Sequence, residues 1–505
     1  MAQGTAAGVR EQDLILALDQ GTSSSRALLF DAQGQLLGLG QQDFDMTFPE
    51  DGWVEQDPEV LWATTLAAGR AAISRAAVAP ERIAAIGITN QRETTLLWDA
   101  ATRQALHPAI VWQDRRTATF CADLKAGGHE PMLAERTGLR FDPYFSGTKL
   151  RWLLETVPQA RARAARGELR AGTVDTFLID RLTKGECFVT DATNASRTLL
   201  YNPVAQHWDP ELCALLDVPE SLLPEVLDCA ADFGVADPEW FGAPIPIRGV
   251  AGDQHAALIG QACLEPGMSK CTFGTGCFAL TNLGGTFQPS QQGLLATLAY
   301  QLDGEPTFAL EGSVFVAGVA VKWLRDKLGL IADAGDTEAA ALRTSGDTGG
   351  VVVVPAFTGL GAPYWDPDAR GLIAGLTLDT TADQLVTATL KAVAFQAADL
   401  TGAMAADGAP LAQLRVDGGM VVNDWFCQQL AELTGLPVVR PKMIETTALG
   451  AAMLAAVGQG LFSNLDAARE MWQQETRFEP SMSTAQRAAE LERWATAVQR
   501  ARSGL

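Results

Sequence analysis

The chain has 505 residues, a length that calls for about two to four domains. Hydrophobic residues make up 47% and charged residues 19%, enough apolar material for ample soluble cores. Its 38 basic and 60 acidic residues leave a formal charge of −22, which argues against nucleic-acid backbones and anionic membranes as partners.

Residues 1–12 lack the apolar core of a signal peptide and read as a short tail. No run reaches the ~18 apolar residues of a membrane span. Leu14–Leu18 and Ala27–Phe30 read as a hairpin around "DQGTSSS". Gly21 permits a tight reversal and close approach of a ligand. Such a turn aims several N–H groups one way, a concavity for anions. The hydroxyls of Thr22, Ser23 and Ser24 add donors, and Asp19 at the strand end suits a Mg²⁺ held partly through water. The same composition also fits an ordinary hairpin turn.

"LWATTLAAGRAAISRA", from Leu61, has helical periodicity, and "IAAIGIT" and "TTLLWD" read as strands. Between those strands, "NQRETT" sets Arg92 beside Glu93. The pair is either a solvated rim or a clamp in which Glu93 accepts from hydroxyls and Arg92 donates to them. Trp112 in "IVWQDRR" and Tyr144 in "DPYFSGTK" suit either core or the apolar walls of a polyol pocket. "GTVDTFLIDRLT", from Gly172, reads as a strand entering a helix.

A second beginning follows. "IRGVAGDQHAALIGQA" reads as strand, tight turn and helix, with Asp253 as N-cap, general base or both. "KCTFGTGCFALTNLG" repeats the opening theme of strand, small-residue loop and strand. The chain thus divides near 255–265, with 13–258 and 259–505 as domains. Two such loops suit a polyphosphate gripped from opposite sides. "LRVDGGMVVNDWFCQQLAELTG" reads as a strand, a double glycine and a helix that buries Phe426, Leu430 and Leu433 and stops at Gly435. The two glycines leave room for a flat ring such as adenine, or make a plain turn. "TALGAAMLAAVG" reads as a buried helix, and the tail after about residue 465 as a helical, solvated face. The eight cysteines have no C-x-x-C spacing and there are only four histidines, so reduced thiols in a cytosol are expected and a zinc site is not.

Together, "ALDQGTSSSRA", "IGITNQRETT", "AIVWQDRRT", "DPYFSGTK", "TDATNASRT", "AGDQHAAL", "FGTGCF", "PAFTGLGAPYWDP", "RVDGG" and "TALGAA" resemble the FGGY family of carbohydrate kinases, and within it the bacterial members that phosphorylate glycerol. The match runs in order from about residue 13 to about 460. The resemblance implies an α/β, two-domain actin-like ATPase (ribonuclease H-like) fold with the active site in the interdomain cleft. It implies ATP and Mg²⁺ as cofactors, glycerol as acceptor, and a cytoplasmic homo-oligomer, dimer or tetramer.

Carried over by motif, Arg92, Glu93, Tyr144, Asp253 and Gln254 are similar to the hydroxyl ligands, and Trp112 and Phe278 to the apolar walls. Asp253 resembles the catalytic base, and with Asp19 the groups around Mg²⁺. Thr22, Ser23, Ser24 and Arg26 match the first phosphate loop, and Gly274 and Thr275 the second. Gly318, Lys322, Gly419 and Asn423 match further nucleotide contacts, although Lys322 stands where relatives often carry Gln. Lys391 replaces an acid in a signature helix and is read as neutral. Some relatives bind fructose 1,6-bisphosphate through a Gly-rich loop with a cation, whereas "DPEWFGAPIPI" has none, so this inhibition is expected to be weak or absent. The competing expectations are a sister kinase acting on a pentulose, gluconate or another polyol, and a non-catalytic switch of the actin or Hsp70 kind. The "NQRETT" segment and Trp112 argue against the switch, which needs no polyol pocket.

Overall fold

The computed structural model describes residues 13–502, so the tail expected at 1–12 lies outside the described residues. Leu14–Gln20 (β1) and Ser24–Phe30 (β2) form the expected antiparallel hairpin. Leu36–Asp43 (β3), Ile83–Asn90 (β4), Val235–Ala236 (β5) and Ile245–Gly252 (β6) complete a sheet of order β5-β6-β4-β1-β2-β3. β4 runs parallel to both β1 and β6. The Leu14–Leu18 run is buried throughout because helices cover both faces of the sheet.

The helix Pro58–Ala76 lies across β2 and β3. It starts at the Asp57 cap, whose side chain accepts from Glu59 N, and ends at Ala77 in the left-handed region. Gly38 and Gly40 allow this contact, since a Cβ there would come within 2.2 Å of the Ala72 carbonyl and 2.0 Å of the Ala68 carbonyl.

The second sheet contains Ser269–Phe273 (β7), Cys277–Gly284 (β8), Leu295–Leu302 (β9), Glu305–Val314 (β10), Leu414–Asp417 (β11), Val438–Pro441 (β12) and Gln474–Phe478 (β13). Its order is β9-β10-β8-β7-β11-β12-β13. The plan of the first sheet recurs: a hairpin, β7–β8, whose first strand is flanked by a parallel strand, β11. Two helices stand between the sheets. Thr446–Gly458 packs on β1, β4 and β6, and Asp253–Gly260 packs against it and against β7, β8 and β9. Glycines permit the crossing, because a Cβ on Gly450 would lie 1.8 Å from the Ala256 carbonyl. Two mixed sheets with helices between and around them make the two-domain α/β arrangement of the actin-like ATPases.

Two expectations need correction. β6 runs straight into its helix, with Gly252 at the junction and no intervening turn. Asp253 is therefore the first helical residue and not the N-cap, and the helix N–H its side chain accepts from is that of the adjacent Gln254. The tail after 465 is not merely a solvated face. Its strand β13 closes the edge of the second sheet beside β12, and its helix Thr484–Ala501 buries Trp494, Ala497 and Val498. Trp494 stacks on Phe395 with ring centroids 5.2 Å apart and donates to Asp399 at 2.7 Å. Lys391 joins this packing through Glu490, 3.5 Å away. All eight cysteines are free, and no helix among the described residues is long and apolar enough to cross a membrane.

Candidate active site

The first loop is tied down by buried amides. Gly21 N donates to Ser24 O at 2.9 Å, which closes the turn. Gln91 Nε2 donates to Gln20 Oε1 (3.0 Å) and to Gln56 Oε1 (2.8 Å), and Gln56 Nε2 donates to Thr22 O (2.6 Å). This chain links the loop to the segment that carries Arg92 and Glu93. Ser24 is buried at the start of β2, while Ser23 stays exposed at the tip.

Arg92 and Glu93 are not a solvated rim: they are 3% and 1% exposed. Glu93 adopts φ +59°, a strained left-handed conformation for a residue with a Cβ. Its carbonyl receives Lys149 Nζ (3.1 Å) and Ser146 Oγ (3.1 Å), contacts that hold the strained backbone. Burial pushes the Lys149 ammonium down to about 8. The Glu93 carboxylate takes Arg197 Nε at 2.6 Å. Arg92 meets Glu311 through Nη1 (2.7 Å) and Nη2 (2.8 Å), Asp253 through Nε (3.1 Å) and the Tyr144 hydroxyl through Nη2 (3.4 Å). Two guanidiniums and two carboxylates thus make a buried, charge-balanced cluster, the arrangement that buried ions require.

Asp253 sits at the rim of this cluster with its side chain 30% exposed. Burial raises its carboxyl above the usual range, and Arg92 and Lys270 oppose the shift. Asp19, at the end of β1, is pushed up to about 7, mainly by burial; Arg26 opposes that, and the charges of Glu445 and Asp253 add to it. Glu445 and Asp253 are thus charged neighbours of Asp19. Arg26 is paired with Glu445 at 2.7 Å, and Gln254 is buried with its Oε1 on the Lys270 ammonium.

The apolar wall assembles from three segments. Trp112 meets Tyr144 edge-on at 5.6 Å and Phe278 at 6.3 Å between ring centroids. The Trp112 indole N–H donates to Thr22 Oγ1 at 2.9 Å, joining the wall to the first loop. Trp112, Tyr144 and Phe278 line a cavity of about 600 Å³ together with Thr275 and Gly276. The second loop thus opens on this space, and the first reaches its wall through the Thr22–Trp112 bond.

The second loop is held from behind. Gly318 N donates to Gly274 O (2.9 Å), and Ala317 N and Val319 N donate to Thr275 O (3.0 and 3.2 Å). These bonds seat the start of the helix Gly318–Asp326 against the loop. A Cβ on Gly274 or Gly419 would meet nothing within 4 Å, so both present open backbone. Gly418 has φ +91° and lies under the Phe273 carbonyl, which demands glycine. Asn423 caps the following helix by accepting from Phe426 N at 2.8 Å. Lys322 stands apart from the buried charge cluster: it is exposed and lines an adjoining cavity of about 590 Å³ with Trp323, Phe357 and Arg370.

Sequence reading missed Arg197, Glu311, Lys149 and Lys270, all of them buried. One signal was present. Glu311 is a lone charge in the apolar run "FALEGSV", where a strand tolerates a carboxylate only if a cation meets it.

The description "FGGY family of carbohydrate kinases, N-terminal domain" matches residues 14–260, and the corresponding C-terminal domain matches residues 269–459. Glycerol kinase 1 of Pseudomonas aeruginosa is 57% identical over 489 residues, covering 97% of this chain and 99% of that protein. A glycerol kinase of Rhizobium meliloti is 55% identical over 489 residues, covering 96% and 98%. Among solved structures, Plasmodium falciparum glycerol kinase with ADP superposes with a TM-score of 0.90 at 34% identity, over 98% of this chain and 99% of that one. Gluconate kinase from Lactobacillus acidophilus, 20% identical over 97% of each chain, shares the fold with a TM-score of 0.84. With both family domains matched in order, the chain belongs to the FGGY family of carbohydrate kinases.

Proposed function

We propose that this chain transfers the terminal phosphoryl group of ATP to a primary hydroxyl of glycerol, giving sn-glycerol 3-phosphate. The single observation that carries the reading is the shared crevice. Arg92, Tyr144 and Asp253 converge beside the Trp112–Phe278 wall, the second small-residue loop lines the same cavity, and the first is bonded to that wall through Thr22. The glycerol kinases among its relatives support this acceptor.

In this reading the glycerol hydroxyls lie against Arg92, Glu93, Tyr144 and Gln254, and the rings cover the C–H edges. Asp253 accepts the proton of the attacking hydroxyl, a role its raised carboxyl suits. The backbone of the two loops, with the Thr22 and Thr275 hydroxyls, cradles the phosphates, and Arg26 and Lys322 are cations within the nucleotide's reach. Gly419 and Asn423 border the adenine. Closure of the crevice excludes water and favours the polyol as acceptor.

Asp19 fits a Mg²⁺. It lies at the end of the first strand before the small-residue loop and has the charged oxygens of Glu445 and Asp253 as neighbours, hard donors of the kind Mg²⁺ prefers. No group of three acids, imidazoles or thiols forms a metal cage among the described residues. Asp19 would therefore hold the ion together with phosphate oxygens and water, with Asp253 nearby. Bound there, Mg²⁺ neutralises phosphate charge.

The test is a panel of glycerol, pentuloses and gluconate with ATP, read by coupled ADP release. Glycerol should give the highest kcat/KM. Preference for a sugar moves the chain to a sister activity, and ATP turnover independent of any polyol supports the switch instead.

A further inference from the structure

We infer that Glu311 is the positioning residue of the polyol clamp, orienting Arg92 directly and Glu93 through Arg197. The inference rests on the reading of Arg92 and Glu93 as polyol ligands. Glu311 lies on β10 and has no exposed surface from which to touch an acceptor. Its two oxygens take both terminal nitrogens of Arg92, at 2.7 and 2.8 Å, and this two-point grip sets the plane of the guanidinium. With the plane fixed, Nε faces Asp253 and Nη2 faces the Tyr144 hydroxyl.

The same carboxylate accepts from Arg197 Nη2 at 3.3 Å and has the charge of Nη1 3.2 Å away, while Arg197 Nε donates to Glu93 Oε1 at 2.6 Å. One buried carboxylate therefore governs both charged ligands. Burial by itself would raise this carboxyl, but Arg197 and Arg92 outweigh it and hold Glu311 ionised below the usual range. A neutral side chain would leave two neighbouring guanidiniums competing for Glu93 and Asp253.

The grip also crosses the molecule. Arg92 follows β4 of the first sheet, whereas Glu311 belongs to the second, 219 residues later. The clamp is thus complete only when the two sheets are docked as they are here. Polyol affinity should accordingly respond to Glu311 far more than nucleotide affinity does.

The experiment compares the full-length parent with Glu311→Gln, varying polyol and ATP separately. The expected result is a glycerol KM raised by about tenfold or more with an ATP KM changed less than about threefold. Glu311→Asp, which keeps the charge, should recover part of the loss. A merely structural role would lower the active fraction and leave the glycerol KM alone. A glycerol KM within about twofold of the parent, or equal rises for both substrates, overturns the inference. Should Glu311→Gln fail to fold, Arg197→Lys keeps the charge balance and removes the fork. The same selective rise, smaller in size, is expected there, and an unchanged glycerol KM overturns the inference. The parent is assayed first on the whole acceptor panel. A parent that ignores glycerol but phosphorylates another polyol defeats the substrate reading alone, and the Glu311 comparison is then made with that polyol.

Discussion

The two hairpin loops share a topology and differ in what surrounds them. The loop at Gly21–Ser23 sits among side chains that carry chemistry: Asp19 before it, the Gln20–Gln56–Gln91 amides beneath it, and Trp112 bonded to Thr22. The loop at Gly274–Gly276 is almost pure backbone, held by three N–H groups at the start of a helix. Repeating one strand plan twice yields two ways to meet a phosphate chain. The first loop is surrounded by side chains, whereas the second offers a surface of backbone amides, even though Phe278 and Glu311 of the second half also join the crevice.

The largest effect expected from this division is on Asp253. Asp253→Asn should lower kcat by at least ~100-fold while both KM values change little, as measured by coupled ADP release. The parent's pH profile sharpens the point. A general base must be deprotonated, and the Asp253 carboxyl is raised, so activity should fall as pH drops and should begin to fall above the ordinary carboxylate range. Next comes the backbone loop. In Gly318→Ala the new Cβ would lie 2.6 Å from the Gly274 carbonyl and displace the loop. The ATP KM should rise by roughly tenfold with the glycerol KM nearly unchanged, and equal rises would break the proposed division of labour.

A smaller effect is expected where the two functions touch. Trp112→Phe keeps a ring in the wall and removes the indole bond to Thr22. Losing one such bond costs about 1 kcal/mol, so both KM values should rise by about fivefold. The smallest effect is none at all. Around "DPEWFG", Lys184 is already engaged by Asp237 and Glu239, each at 3.0 Å, and Arg70 by the Trp240 carbonyl at 2.8 Å, so both cations are taken. Millimolar fructose 1,6-bisphosphate should inhibit weakly or not at all, and strong inhibition would refute the expectation.

Much of the fold was legible because its signals are local. The hairpin at Leu14–Phe30, the strand at Ile83–Asn90 and the helix stop at Gly435 follow from apolar runs and turn formers next to each other in the chain. The Arg92–Glu93 pair was legible as a candidate, but its burial was not, since a charged dipeptide reads the same on a rim as in a core. Asp253 shows a finer limit. A one-residue shift at the strand–helix junction separates a cap from a first-turn residue, and adjacent identities do not resolve it.

The amino-acid sequence by itself determined the doubled strand–loop–strand plan, the small residues of the second loop and the aromatic and acidic residues of the crevice, because each depends on neighbours a few positions away. Only the tertiary structure decided that Glu311 answers Arg92 and that Arg197 answers Glu93. Buried charges are tolerated only in pairs, and which charges pair is set by how two sheets dock across a separation of 219 residues, a distance over which no local pattern reaches.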